Sequence, residues 1–127
     1  MLREISPRYV RQIKGESKRR WFVDDYFDLL IWVNKNNEII GFQLCYDKLG
    51  DQRALTWRKG SGYMHHHVDE GEGRPGKKKA TPILDRVDRH FEREVIADAF
   101  KKESLKVEAN VSTFIYERIL QYPSHTV

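Results

Sequence analysis

Two short segments of this chain alternate apolar and other residues with the period of a β-strand. From residue 27 to 33 every odd position is apolar, and from residue 40 to 46 every even position is apolar. A period of two places each apolar set on one face of its strand. A two-residue turn at positions 36–37, both Asn, would place Val33 opposite Ile40 and bring the two apolar sets together. The sequence therefore predicts an antiparallel hairpin with one apolar face.

Further strands extend this hairpin into a meander. A reversal at residues 49–50 keeps the apolar residues of the next strand on the same face. Another strand is expected to start at Tyr63, and residues 21–23 supply a short one. We expect an antiparallel β-meander of about four to five strands.

The last third of the chain has helical periodicity instead. Apolar residues recur every four positions from Val87 to Ala99, which predicts a helix with Asp85 or Asp88 as its N-cap. A second helix is expected within residues 105–122, before a proline that would end it. The predicted fold class is α+β, with two C-terminal α-helices packed on one face of the sheet.

One domain is the expectation for a chain of this size. Its 127 residues are enough to bury a modest core without disulfides or a structural metal. We expect a single α+β domain, 1–127, with a basic N-terminal segment at 1–20, the β-meander at 21–70, a loop at 71–82 and a helical part at 83–122.

Three of the five histidines lie beside three carboxylates within ten residues. On an extended strand His65 and His67 project to the same face while His66 points to the other. Neutral imidazole is the commonest transition-metal ligand in proteins, although two imidazoles need a further ligand to make a tight site. The predicted site for a divalent transition metal comprises His65 and His67 with Asp69, Glu70 or Glu72. The alternative is that these histidines only pack or form hydrogen bonds.

Basic residues are unevenly distributed along the chain. Residues 1–20 carry a net charge of +5, although the whole chain has a formal net charge of only +4. Cationic side chains beside an aromatic ring are typical of surfaces that contact phosphates and stack on bases. The predicted nucleic-acid contacts are Arg19, Arg20 and Trp21 with Lys77, Lys78 and Lys79 of the loop.

The opposite face of the meander is neither polar nor apolar throughout. Large apolar residues exposed together on a sheet face would form an unusual patch in a monomer. We therefore expect a second subunit, the N-terminal segment or a ligand to cover this face. The candidate interface or ligand residues are Tyr26, Asp28, Leu30, Trp32 and Gln43.

Two enzymatic interpretations involve this same face. Asp28 on one strand and Gln43 on the next resemble the Mg²⁺-binding strands of nucleases of the restriction-endonuclease-like superfamily, but Cys45 stands where that family has a lysine. As a nucleophile, Cys45 would need a base beside it, and nothing in the sequence requires one there. Neither a nucleophile elbow nor a phosphate-cradling loop is present in the sequence.

A cytoplasmic protein is the expectation from the cysteine content and hydropathy. The single cysteine excludes an internal disulfide, and no apolar run is long enough to span a bilayer. Three function hypotheses follow. The first is a non-enzymatic binding or regulatory module that self-associates as a homodimer. The second is a metal-binding protein or metal-dependent enzyme, and the third is a nucleic-acid-binding protein.

Overall fold

The computed structural model describes residues 1–69, 83–87 and 90–123. Within them the chain forms seven strands, a short 3₁₀ turn at Pro7–Tyr9 and two α-helices. The strands are β1 (Arg3–Glu4), β2 (Lys18–Val23), β3 (Phe27–Val33), β4 (Ile39–Tyr46), β5 (Arg53–Arg58), β6 (Gly62–Asp69) and β7 (Ile83–Val87). The helices are α1 (Arg93–Glu103) and α2 (Ala109–Leu120).

All seven strands belong to one antiparallel sheet, and each pairs with its neighbour in the chain. This confirms the predicted antiparallel meander followed by two helices, with more strands than the four to five expected. One of the extra strands, β1, has only two residues, so it is too short to show any alternation in the sequence. The other, β7, lies in a segment predicted to be helical.

The asparagines between β3 and β4 do reverse the chain, but in a loop of three residues rather than two. Asn37 has a φ of 63° and its N–H donates to the carbonyl of Asn34 at 3.0 Å. A turn followed by one left-handed residue is a common three-residue hairpin connection, and it is accompanied by a bulge. Val33 consequently lies opposite Ile39 and not the predicted Ile40.

The core lies between one face of the sheet and the two helices. The predicted apolar face of the meander is buried, with Leu29, Leu44 and Leu55 side by side on β3, β4 and β5 at 0% exposure. Leu2 joins this core from the N-terminal segment, where its N–H donates to the carbonyl of Glu103 at 2.7 Å. The helices contribute Ile96, Ala97, Phe100, Val111, Ile115 and Ile119.

The prediction that the helical part begins at residue 83 is wrong. Residues 83–87 pair with β6 as strand β7, and the first helix begins only at Arg93. Asp85 is therefore a strand residue and not an N-cap, and Asp88 lies outside the described residues, as does the predicted loop at 71–82. A short apolar repeat does not distinguish a strand from the start of a helix, and here β6 offers backbone groups for pairing.

The apolar stripe predicted for the first helix is also displaced. Val95, placed on the core side by the four-residue repeat, is 59% exposed, whereas Ile96 and Phe100, which were expected to widen the stripe, are buried. The later start of the helix explains this difference, because the repeat had been counted from Val87, which belongs to β7. The second helix starts at Ala109. Among the described residues, no helix has the length and hydropathy needed to cross a bilayer.

We expect the core to tolerate truncation of Leu44 poorly. Leu44→Ala should lower the free energy of unfolding by about 2–5 kcal/mol, because it removes a fully buried side chain and leaves a cavity. The matched control is Leu49→Ala, since Leu49 is 94% exposed in the β4–β5 turn and should change stability by less than about 0.5 kcal/mol. Denaturant titration measures both. Equal losses in the two variants would contradict the burial pattern.

Candidate functional site

The surface of the sheet that faces away from the helices is called here the second face. Strand register assigns side chains to it, because alternate residues of each strand lie on it and paired residues of neighbouring strands lie side by side. Its central row crosses β2 to β6 and consists of Trp21, Leu30, Gln43, Thr56 and Met64.

A second row lies beside the central one and carries most of the reactive groups of this face. Asp28 on β3 pairs with Cys45 on β4, Cys45 with Ala54 on β5, and Ala54 with His66 on β6. Cys45, Ala54 and His66 are all buried, although the buried side chains of both helices belong to the core on the other face. Register therefore gathers a carboxyl, a thiol and an imidazole that are far apart in the sequence.

The Asp28 carboxyl is the most perturbed group of this row. Burial raises its pKa above the usual aspartate value, and two neighbours oppose that shift: the hydrogen bond from the Trp21 indole N–H and the positive charge of Lys48. Lys48 is itself fixed, since its ammonium donates to the carbonyl of Asp24 at 2.9 Å. Trp21 and Asp28 thus form a polar contact across β2 and β3 in a largely apolar setting.

Cys45 and His66 do not form a nucleophile and base pair. Two strand spacings separate them, which is about 10 Å between their backbones, whereas a base must lie within about 3.2 Å of its nucleophile. The small Ala54 side chain lies between them. The Gln43 amide nitrogen lies 3.8 Å from the Cys45 sulfur. The register therefore keeps this thiol and this imidazole apart.

At the other end of the second face, a guanidinium covers an aromatic ring. The Arg58 guanidinium carbon lies 4.3 Å from the centroid of the Trp32 ring, across Gly41 of the intervening strand. A Cβ at Gly41 would come within 3.2 Å of the Trp32 ring and 3.0 Å of the Trp57 carbonyl. Glycine at this position therefore leaves the space in which Trp32 and Arg58 meet, a contact worth about 0.5–1 kcal/mol at an exposed site.

Three buried polar atoms of the second face have no hydrogen-bond partner among the described residues. They are the hydroxyl oxygen of Thr56, Nδ1 of His66 and Nε of Arg19, which pairs with Trp32. Buried polar atoms in native proteins are nearly always paired, and an unpaired one costs about 1–3 kcal/mol. This face thus has unused hydrogen-bonding capacity on β5 and β6, beside the exposed side chain of Met64, and on β2, beside Trp32.

Tyr26 does not belong to the second face, although the sequence placed it there with Leu30 and Trp32. Its ring centroid lies 4.8 Å from that of Phe27 and 6.5 Å from that of Tyr46, which are both core residues. The Asp24 carboxylate accepts hydrogen bonds from the N–H groups of residues 26 and 27 and forms a turn there. The alternation starts only at Phe27, so extrapolating it back to Tyr26 fails.

The histidine cluster is divided between the two faces, as the sequence predicted. His65 faces the core, where Nε2 and the Tyr46 hydroxyl share a hydrogen bond of 2.6 Å and the ring packs against Phe91. His67 shares that face by register, and its Nδ1 lies 3.2 Å from the Asp51 carboxylate. The hydrogen bond from His67 lowers the pKa of Asp51. Both imidazoles of the predicted metal pair are thus engaged by protein groups.

The remaining predicted metal ligands are not placed. Glu70 and Glu72 lie outside the described residues, and for Asp69, at the end of β6, only the strand pairing is described. Across residues 1–69, 83–87 and 90–123, no group of three or more His, Cys, Asp or Glu side chains is arranged to hold a metal ion. Metal binding by this cluster stays a prediction.

The arginines predicted to contact nucleic acid have acidic neighbours. The Arg20 guanidinium forms two hydrogen bonds of 2.8 Å to Glu4 and a further one to Glu108, and these carboxylates, Glu4 foremost, raise its pKa further. Arg19 lies 3.5 Å from Glu16. The Trp21 indole N–H donates a hydrogen bond to the Asp28 carboxylate. The three lysines of the loop, Lys77, Lys78 and Lys79, lie outside the described residues. The described part of this predicted surface is therefore largely neutralised.

Sequence reasoning missed two residues of the second face. Met64 and His66 lie on it but were not placed there from the sequence, whereas the predicted register did place Thr56 and Arg58 on it. The signal was present, because the predicted register continues the alternation through β5 and β6.

Comparisons with protein-family models, with curated proteins and with solved structures gave no match to this chain.

We expect Asp28→Asn to stabilise the protein at neutral pH. The folded state raises the pKa of Asp28, so its contribution to stability is fully present below the unfolded pKa and is lost as pH rises through the folded pKa. The amide cannot ionise but still accepts a hydrogen bond from Trp21. The stability advantage of the variant should therefore be larger at about pH 7 than at about pH 4.

Denaturant titrations at both pH values measure this difference. The control is Asp25→Asn, because Asp25 is an exposed neighbour in the same turn. Two results would show that burial of the carboxylate is not the dominant effect. In the first, Asp28→Asn is less stable than the wild type at pH 7. In the second, its stability difference from the wild type changes with pH no more than that of Asp25→Asn.

Proposed function

We propose that this chain is a non-enzymatic binding module that self-associates through the second face of its sheet. The observation that carries the proposal is the apolar character of that face. Leu30 and Trp32 are partly exposed on it and Met64 is 56% exposed, on the side of the sheet away from the helices. Leu30 and Trp32 adjoin on β3, whereas Gln43 and Thr56 separate Leu30 from Met64. Large apolar side chains exposed on one face in this way usually mark a protein contact.

A second copy of the chain is the occupant that the charges favour. Asp28 and Trp32 are four residues apart on β3, about 13 Å along the strand, and Arg58 lies beside Trp32. A twofold axis through the central row would bring the Arg58 end of one copy over the Asp28 end of the other. Such an isologous contact uses the same patch on both subunits, so the Arg58 end of each copy faces the Asp28 end of the other.

The size of the face sets the expected strength of the dimer. Five strands about 4.8 Å apart, with six residues each at about 3.3 Å per residue, give a patch on the order of 500 Å². Two such patches bury about 1,000 Å² in total, which is at the low end for specific interfaces. We therefore propose a weak dimer that dissociates on dilution.

The other two hypotheses have less support. The metal hypothesis depends on His65, whose Nε2 is bonded to Tyr46. The nucleic-acid hypothesis depends on Arg20, which Glu4 and Glu108 neutralise. A non-enzymatic role agrees with the separation of Cys45 from His66. We further propose a cytoplasmic location, since a chain with a single cysteine has no internal disulfide to maintain, which is typical of proteins in a reducing compartment.

The test is sedimentation velocity from about 10 µM to about 1 mM, a range that brackets a weak dimer. The wild type should show a sedimentation coefficient that rises with concentration. Met64→Arg should abolish the rise, because it places a cation within the contact, at the β6 end of the central row, without disturbing the core. Leu105→Arg is the matched control and should behave as the wild type, since Leu105 is 73% exposed and lies beyond α1.

Two results would contradict the proposal. A wild type that stays monomeric throughout this concentration range would contradict the proposed self-association. A dimer that Met64→Arg leaves intact and Leu105→Arg disrupts would move the contact to the helical side of the molecule.

A further inference from the structure

A cleft opens on the helical side of the molecule, where the β3–β4 turn, the end of β5 and α2 meet. Its volume is about 370 Å³, within the range of small-molecule sites. Asn37 contributes from the turn, Trp57 and Lys59 from β5 and the residue after it, and Asn110 and Arg118 from α2. The Trp57 side chain pairs with Phe42 on the core side of the sheet, so the cleft is separate from the second face.

Arg118 is held in place at this cleft. Its guanidinium carbon lies 4.3 Å from the centroid of the Phe114 ring and 5.2 Å from that of Trp57. Nη1 donates to the side-chain oxygen of Gln121 at 3.3 Å, and the backbone carbonyl of Arg118 accepts a 2.6 Å hydrogen bond from the Tyr63 hydroxyl. A ligand that pairs with this guanidinium would not have to immobilise it first.

The charge of Arg118 is not compensated nearby. Within the part of the chain that the structure describes, no carboxylate forms an ion pair with Arg118. Glu38 also lines the cleft, but its carboxylate accepts a 3.0 Å hydrogen bond from the Asn34 amide. That hydrogen bond lowers the pKa of Glu38, and the charge of Lys59 adds to the effect. Glu38 thus balances Lys59 and leaves the guanidinium in excess.

Hydrogen-bond donors also exceed acceptors in the cleft. Besides Arg118 and Lys59, the cleft is lined by Trp57, Asn37 and Asn110, whose indole N–H and side-chain amide groups are further donors. In the described part of the chain, none of these last three side-chain groups forms a hydrogen bond within the protein. A ligand that accepts several hydrogen bonds and carries negative charge would meet all of these groups.

We infer that the cleft binds a small organic oxyanion, with its carboxylate or phosphate group on the Arg118 guanidinium and its body against Trp57 and Phe114. A planar guanidinium presents parallel N–H groups that match two oxygens of such an anion. The inference does not depend on self-association, because the cleft and the second face lie on opposite sides of the sheet.

Nuclear magnetic resonance titration tests it with inorganic phosphate and with benzoate as separate probes at constant ionic strength. The reporter is the Trp57 indole N–H signal, assigned from its loss in Trp57→Phe. Saturable shifts of this signal by one or both probes are the expected result, and the stronger probe identifies the preferred oxyanion. Sodium chloride added at equal ionic strength should give no saturable shift.

Arg118→Gln should weaken binding by about tenfold or more, the usual effect of losing a charge-assisted hydrogen bond. The matched control is Arg58→Gln, because Arg58 also lies over a tryptophan ring, but on the second face. Lys59→Gln, an exposed change that leaves the ring contacts intact, should weaken binding several-fold and decides the question if Arg118→Gln loses its folded spectrum. Met64→Arg should bind as the wild type does, which separates this inference from self-association.

Three results would overturn it. The first is the absence of saturable shifts with both probes in the wild type. The second is equal binding by the Arg118→Gln and Arg58→Gln variants. The third, if Arg118→Gln does not fold, is wild-type binding by Lys59→Gln.

Discussion

The structure depends on a single register that places the apolar residues of β3, β4 and β5 on the same side of the sheet. Leu29, Leu44 and Leu55 lie side by side there and are fully buried beneath the helices. A slip of one residue in any of these pairs would turn its apolar set towards the other face and expose it. Both α1 and α2 pack on this face, so in the part of the chain that the structure describes the opposite side of the sheet has no helical cover.

Adjacent residues of one strand therefore lie in different environments on opposite faces of the sheet. His65 is packed among aromatic rings of the core and bonded to Tyr46, whereas His66, the next residue, lies beside Ala54 on the second face. A cluster that is dense in the sequence is divided by the sheet, while Asp28, Cys45 and His66, distant in the sequence, are aligned by it. The exposed and partly exposed apolar side chains of this face support the proposal that it is a contact surface.

Alternation with a period of two was sufficient to predict the meander and the core face, because strand pairing depends on local patterns that repeat. The exceptions have local causes. Asn37 adopts a left-handed conformation and lengthens the first turn, and Asp24 forms a turn that moves Tyr26 towards the core. No sequence pattern indicated the side-chain contacts between residues that are far apart along the chain. The ion pair of Arg20 with Glu108 joins residues 88 positions apart, and it removes a cation that the sequence had assigned to a phosphate contact.

The central claim is that the second face is where this protein meets its partner copy. The three tryptophans make a direct test possible, because Trp21 and Trp32 lie on that face and Trp57 lies on the helical side. The measurement is the position of the three indole N–H signals as the protein is diluted. The account predicts that the signals of Trp21 and Trp32 move with concentration while that of Trp57 stays fixed. Movement of Trp57 alone, or of none of the three, would contradict it.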